Sequence, residues 1–418
     1  MSSRNNILVI IVLIIISISL LAGLTWLNLR ILNSFSGTDS FLAYWMGTRL
    51  LLTEGINPYD DIVSDQIQDK SKELYGQVQP VEASQVFYPL YSGLLYFPYA
   101  LIEDYPLAHS LWMTTLEIAL IGLAITCLQI TRWRIPAILL WVYFFFCLFW
   151  IHSIIPLVTG NVVIIVALCL ALSVLAIRSG HDELTGILLA LSTIKPMVSI
   201  WLVFFLVMWA VFQRRWKIPV WFGGTLLILI VVSVFFFQSW LLDYLRTTFL
   251  YIRSSLPLTP APTFKTWLPG IGERLSWLIS IFLGVVLVVE WIVGSRKPDF
   301  RRMLWLACLT LVIGQGVGFL AHPINAIVLL LPLVVVFSVL DERWKITGRI
   351  IDGLLIMLLL VVPWVIIIPE LNHVAEVEKL TILLFPLPLF ILIGLYWIRW
   401  WAIHPQRTYM QELRDIGE

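Results

Sequence analysis

The stretch Ile7 to Leu29 carries no charged residue and exceeds the ~20 residues an α-helix needs to cross roughly 30 Å of hydrocarbon. It is also longer than the apolar core of a cleavable signal. Arg4 precedes it and no small-x-small cleavage pattern follows, so an uncleaved anchor is expected, with its N-terminus in the cytoplasm. Further apolar runs cover 86–102, 107–130, 135–155, 162–177, 184–194, 197–212, 218–237, 275–293, 303–320, 326–340, 350–368 and 380–398. They leave no room for a separate soluble domain. The expected fold is all-α, a polytopic transmembrane helical bundle of about 11–13 membrane segments.

Composition narrows the partners. With 60% apolar residues, 13% charged residues and a net charge of +1, the chain lies far from a soluble domain. Its Lys and Arg are scattered through short loops instead of forming one basic surface, so no nucleic-acid partner is implied. Cys127, Cys147, Cys169 and Cys308 all fall in apolar runs with neither CxxC nor Cys/His metal spacing. They read as small buried hydrophobes, with no disulfide, zinc or other metal, and no cofactor, expected.

Short loops rich in Lys and Arg mark the cytoplasmic side. By that rule 131–134, Arg178, 214–217, 296–302, 343–349 and the tail after Arg399 are cytoplasmic, while 30–85, 239–272, 321–323 and 369–379 are outside. The alternation holds in the first half only if 184–212 breaks at Lys195-Pro196 into two half-helices, because proline removes a helix hydrogen bond. It also requires 86–102, with Pro89 and Pro98, to enter and leave by the outer face. The division along the chain is then 1–238, a transmembrane catalytic module with outer loop 30–85; 239–272, an outer loop or lid; and 273–418, a second transmembrane module. The plasma membrane is the expected location.

This topology puts Asp39, Tyr59, Tyr88, His152, Asn161, Lys195 and His322 at or near the outer ends of spans. Asp39 opens a segment whose helical spacing of Phe41, Tyr44 or Trp45, Thr48 and Leu51 or Leu52 predicts an amphipathic helix over 40–55, ended by Gly55. Two readings of Asp39 stand side by side: a carboxylate at the rim of the bilayer can deprotonate a sugar hydroxyl, or Thr38 or Asp39 caps the helix. Lys195 lies in an apolar run and is costly against lipid, so it faces protein, water or an anion such as phosphate, or it snorkels to the headgroups. Arg246, Arg253, Lys265 and Arg274 make the second outer segment basic, which suits either a lipid phosphate or headgroup contact. Asp61, Asp65, Asp69 and Glu73 would align on one helical stripe and read as a solvated face. Glu117 and Gln315 lie near mid-span, where hydrogen bonding between helices is the simpler reading and proton relay the sharper one.

Several of these residues recur as blocks. Asp39 with Tyr44, Arg49-Leu50-Leu51-Leu52, Gly55 and Asn57-Pro58-Tyr59-Asp60 forms the first. Phe87-Tyr88-Pro89-Leu90, Trp112, Gly160-Asn161, 184–190 running into Ile194-Lys195-Pro196, and Arg214-Arg215-Trp216 follow. In order and spacing they resemble the polyprenyl-phosphate-dependent glycosyltransferases of GT-C fold, specifically the alpha-mannosyltransferase-like family 87. The resemblance covers residues 1–217 and thins beyond to His322 and the general architecture. It implies a GT-C-like fold and transfer of a sugar, most readily mannose, from a polyprenyl-phosphate donor to a lipid or glycan acceptor on the outer face. In that reading Asp39 is the general base or orienting carboxylate and Lys195 holds the donor phosphate. His322, Tyr88, Asn161, Tyr59 and Arg253 are then donor or acceptor contacts. A transporter or lipid flippase, and a non-catalytic subunit of a membrane complex, are the alternatives from other classes. The single break at Lys195-Pro196, with no counterpart in the second half, argues against the repeat architecture of a transporter.

Overall fold

The computed structural model describes residues 2–32, 39–76, 84–255, 264, 268–317, 323–367 and 386–403. Their regular structure is helical, with no strand among the described residues. In chain order the helices are α1 (Ser2–Leu32), α2 (Ser40–Thr53), α3 (Asp61–Tyr75), α4 (Gly93–Ala100), α5 (Tyr105–Thr131), α6 (Ala137–Phe149), α7 (Ile151–Val158), α8 (Val163–Ser179) and α9 (Asp182–Ser192). They continue as α10 (Pro196–Phe212), α11 (Lys217–Phe236), α12 (Trp240–Ser255), α13 (Gly272–Gly294), α14 (Phe300–Val317), α15 (Leu330–Ile367), α16 (Pro386–Trp397) and α17 (Arg399–Ile403).

Five described helical stretches are long and apolar enough to cross a membrane, and α6 with α7, bent by 42°, makes a sixth. Shorter apolar helices at 163–179, 196–212 and 387–397 add to them. The outward faces suit lipid: Ile138 and Trp141 on α6 are 82% and 77% exposed, which water would penalise and acyl chains do not. The apolar run 86–102 is not a span. It folds as a 3-10 turn, Leu90–Ser92, followed by the eight residues of α4, which rise only about 12 Å. That shortness fits an element that enters and leaves by one face.

The break at Lys195 is real. α9 ends at Ser192, the amides of Thr193 and Ile194 make short-range turns, and Pro196 opens α10 where its missing N–H costs nothing. A second interruption falls in α15, whose 38 residues would run about 57 Å if straight. Lys345, at φ 49° and ψ −115°, splits it. The Arg349 guanidinium then reaches back to Asp341, whose other oxygen accepts from the Trp133 indole N–H at 2.9 Å. The basic loop expected at 343–349 is this turn, and the two runs around it are separate helices.

The chain forms two compact units that interleave along the sequence: Met1–Gly122 with Ser153–Ile165 and Leu226–Ser255, and Leu123–His152 with Val166–Thr225 and Leu256–Glu418. The division at 238 and 272 follows membrane side, whereas these units follow packing. In the first unit α1 is held to α5 by polar groups inside the span: Thr25 and Asn28 both bond the Thr114 hydroxyl, at 3.0 and 3.2 Å, and Asn28 also bonds Glu117. This gives Glu117 the interhelical role. In the second unit Gly186 lets α9 and α11 touch, because a Cβ there would lie 2.6 Å from the Ile218 carbonyl oxygen. Arg215 pairs with Asp182 and Lys217 with Glu183 at the ends of the same two helices. These contacts account for a glycine and an arginine in the recurring blocks.

Candidate functional site

α2 begins at Ser40 because Asp39 caps it. In extended backbone, its Oδ1 accepts the amides of Phe41 at 2.9 Å and Leu42 at 3.1 Å. The helix ends as expected, with Gly55 at φ 69° and the amides of Glu54 and Ile56 both returning to the Leu50 carbonyl. The expected amphipathic face is corrected. Phe41 to Thr48 are buried all round, because α4 and α5 cover the side that spacing alone left free. The Trp45 indole and the Arg49 guanidinium finish α4 by donating to the Tyr99 and Ala100 carbonyls at 3.0 and 2.9 Å.

The other oxygen of Asp39 faces a ring of donors. Oδ2 accepts from the Tyr75 hydroxyl at 2.7 Å and from the Tyr105 hydroxyl. His109, one turn after Tyr105 on α5, brings Nδ1 to 3.5 Å from the same oxygen and 3.3 Å from the Tyr105 hydroxyl. Because the Tyr105 O–H donates to Asp39, the network assigns the His109 proton to Nδ1. The imidazole stacks on Phe41, with ring centres 5.0 Å apart, and its Nε2 has no hydrogen-bond partner among the described residues. Gly160, at φ 65°, closes the cage: a Cβ there would lie 2.6 Å from the Phe41 Cβ and 2.8 Å from Nε2. Only glycine fits both the conformation and the space.

Four nominated residues meet in this first unit. Asn161 caps α8 through the Val163 amide at 3.1 Å, donates to the Ser40 hydroxyl at 3.3 Å and bonds the Tyr88 hydroxyl. The Tyr88 ring stacks on Tyr44 at 4.1 Å, and its carbonyl accepts the Tyr59 hydroxyl at 2.8 Å. Thus Asp39, Asn161, Tyr88 and Tyr59 are linked through Ser40, and Trp112 joins them by donating to the Gly160 carbonyl at 2.7 Å. Lys195 belongs to the second unit, buried at the turn before α10. His322 lies outside the described residues, as does the side chain of Arg253 at the end of α12. Tyr75, Tyr105 and His109 were not nominated. Tyr105 and His109 carry a legible signal, two polar rings four residues apart at the start of an apolar run.

The carboxylate stripe of α3 is a solvated face. Val63, Ile67 and Ser71 turn inward, while Asp69 and Glu73 pair with Lys72 and Lys70 at 3.0 and 2.9 Å. Beyond α3, Asp243 of α12 accepts from Asn57 at 2.9 Å and Ser239 at 2.7 Å, tying the segment after α2 to α12. Among the described residues no group of three or more His, Cys, Asp and Glu could hold a metal.

The model of one protein family, described as Glycosyltransferase family 87, matches residues 87–323. The match spans more than half of the chain and starts later than the resemblance over 1–217 suggested, so Asp39 and Tyr59 precede it. Tyr88, His109, Asn161, Lys195, Arg253 and His322 fall within it. No curated protein and no solved structure matches the chain.

Proposed function

This chain belongs to glycosyltransferase family 87, and from that premise we propose that it moves a sugar, mannose or a close relative, from a polyprenyl-phosphate donor to a lipid or glycan acceptor on the outer face of the plasma membrane. The observation that carries the catalytic assignment is the Asp39 cage: a carboxylate 2% exposed whose Oδ2 meets the Tyr75 and Tyr105 hydroxyls and the His109 imidazole. An acceptor hydroxyl entering that ring gives its proton to Oδ2 as its oxygen bonds the anomeric carbon. The bond from that carbon to the phosphate oxygen breaks, and the electron pair leaves with the polyprenyl phosphate. Charge therefore grows on the phosphate, where a cation acts most strongly. Lys195 takes that role: it is a buried lysine immediately before the N-terminus of α10, whose dipole also favours an anion. Tyr88, Asn161 and Tyr59 shape the acceptor side, and His322 and Arg253 are further substrate contacts.

The test is transfer from polyprenyl-phosphate mannose by the purified full chain in lipid vesicles. Asp39→Asn keeps the cap, since Asn accepts the same amide bonds, but removes the base, so kcat should fall roughly 10²- to 10⁴-fold with the unfolding temperature little changed. Lys195→Met should weaken donor binding and lower turnover as well. Wild-type turnover in Asp39→Asn would reduce this residue to a helix cap, and Asp60 or Asp61 would be the next carboxylates to examine.

A further inference from the structure

The Asp39 carboxylate is already crowded with donors. An ionised carboxylate offers about four lone-pair sites. The Phe41 and Leu42 amides take those of Oδ1, and the Tyr75 and Tyr105 hydroxyls take those of Oδ2. A hydroxyl that comes to bond Oδ2 in line competes with the donors already there.

The four differ in how readily they leave. The two amides belong to the first turn of α2, and removing them would uncap the helix. Tyr105 is 3% exposed in the first turn of α5, with its ring against Trp45 and Phe41 at 5.1 and 5.9 Å and its hydroxyl bonded to His109 as well. Tyr75 is different on each count. It is the last residue of α3, half-buried, and the chain turns away at once through Gly76 at φ 69°. α3 itself is a single amphipathic layer whose buried positions are Val63, Ile67 and Ser71. Movement of its last turn breaks little packing.

We infer that Tyr75 is a place-holder: in the substrate-free protein its hydroxyl occupies the position of the acceptor hydroxyl on Asp39 Oδ2, and acceptor binding displaces it. The inference rests on the reading of Asp39 as the proton acceptor and goes beyond it by locating the acceptor oxygen and naming what must move. A phenol is a suitable surrogate, being a hydroxyl donor carried on a six-membered ring. Burial, and then the charge of Asp39, push the Tyr75 phenol above its ordinary range, so it remains a donor and does not compete for the proton. Tyr105 and His109 stay behind and hold Oδ2 in place during the exchange.

Competition between Tyr75 and the acceptor separates KM from kcat. With polyprenyl-phosphate mannose as donor and octyl α-mannoside as the acceptor probe, Tyr75→Phe should lower the KM for octyl mannoside about tenfold, ~1.4 kcal/mol, because the competing bond to the carboxylate is gone. Its kcat should stay within about twofold, since every group acting on the transition state is kept. Tyr75→Trp, which retains bulk without a hydroxyl, should move KM in the same direction. A KM that is unchanged or higher in both variants, or a kcat that falls with KM constant, overturns the place-holder. Asp39→Asn in the same assay keeps the two ideas apart: inactive Asp39→Asn with an unaltered Tyr75→Phe sinks only this inference, whereas active Asp39→Asn sinks the reading beneath it.

Discussion

Asp39 and Asp352 are both buried carboxylates, 2% and 0% exposed, yet one accepts at least four hydrogen bonds and neither oxygen of the other has a hydrogen-bond partner among the described residues. Asp39 opens α2 and is met by donors from three other places: the first turn of its own helix, the last turn of α3 and the first two turns of α5. Asp352 lies in the second half of α15, where the like-signed Asp341 acts on it. Burying a carboxyl without donors costs free energy, while burying one among donors fixes it in place. Burial alone therefore does not mark a site. The donors around it do.

The largest effect that can test this contrast is on stability. Asp39→Ala removes the cap, worth about 1 kcal/mol, and strands the buried Tyr105 hydroxyl at about 1–3 kcal/mol more, so the first unit should lose about 2–4 kcal/mol. Unfolding followed by heat or denaturant in detergent measures it. A loss as small as that of an exposed residue would mean that the donors reorganise freely and that the cage has no fixed geometry to offer a substrate.

A smaller effect probes the cage wall. Gly160→Ala must place a side chain at φ 65° and against Phe41 and His109, costing about 2 kcal/mol from backbone and overlap together. Because the overlap reaches His109, transfer activity should fall along with stability. If stability falls and activity does not, the imidazole does not help to orient Asp39.

Much of this architecture can be read from the sequence, for reasons that are local. Apolar runs give spans because lipid leaves few alternatives, Pro196 breaks a helix by chemistry inside one residue, and Gly55 terminates α2 by its own backbone freedom. The four-residue carboxylate stripe shows which face of α3 is solvated because periodicity along one helix decides it. Burial of α2 on every side was not legible, because it depends on α4 and α5 arriving from elsewhere in the chain. Nor was the company of Asp39: Tyr75 and His109 lie 36 and 70 positions away, and no spacing rule joins residues that meet only through packing. The family resemblance over residues 1–217 includes the block around Asp39, whereas the matched region begins at Phe87. The segment 39–76 therefore owes its place in the proposal to its contacts.

The smallest expected effect belongs to the other carboxylate, and its sign is what makes it informative. In Asp39 the oxygens satisfy partners that would be stranded by their removal. In Asp352 they satisfy none among the described residues, so no buried donor is orphaned when they go. Replacing a polar group that has no partner with an apolar one of similar size is close to neutral or stabilising, because the desolvation cost disappears and nothing is lost against it. Asp352→Leu should therefore leave the unfolding midpoint within about 1 kcal/mol of wild type or raise it, with transfer activity unchanged. Asp352→Asn, which keeps a polar amide in the same apolar surroundings, should be the less stable of the two. A strong loss in Asp352→Leu, comparable with Asp39→Ala, would show that Asp352 has a partner after all and that the two carboxylates are equivalent in kind.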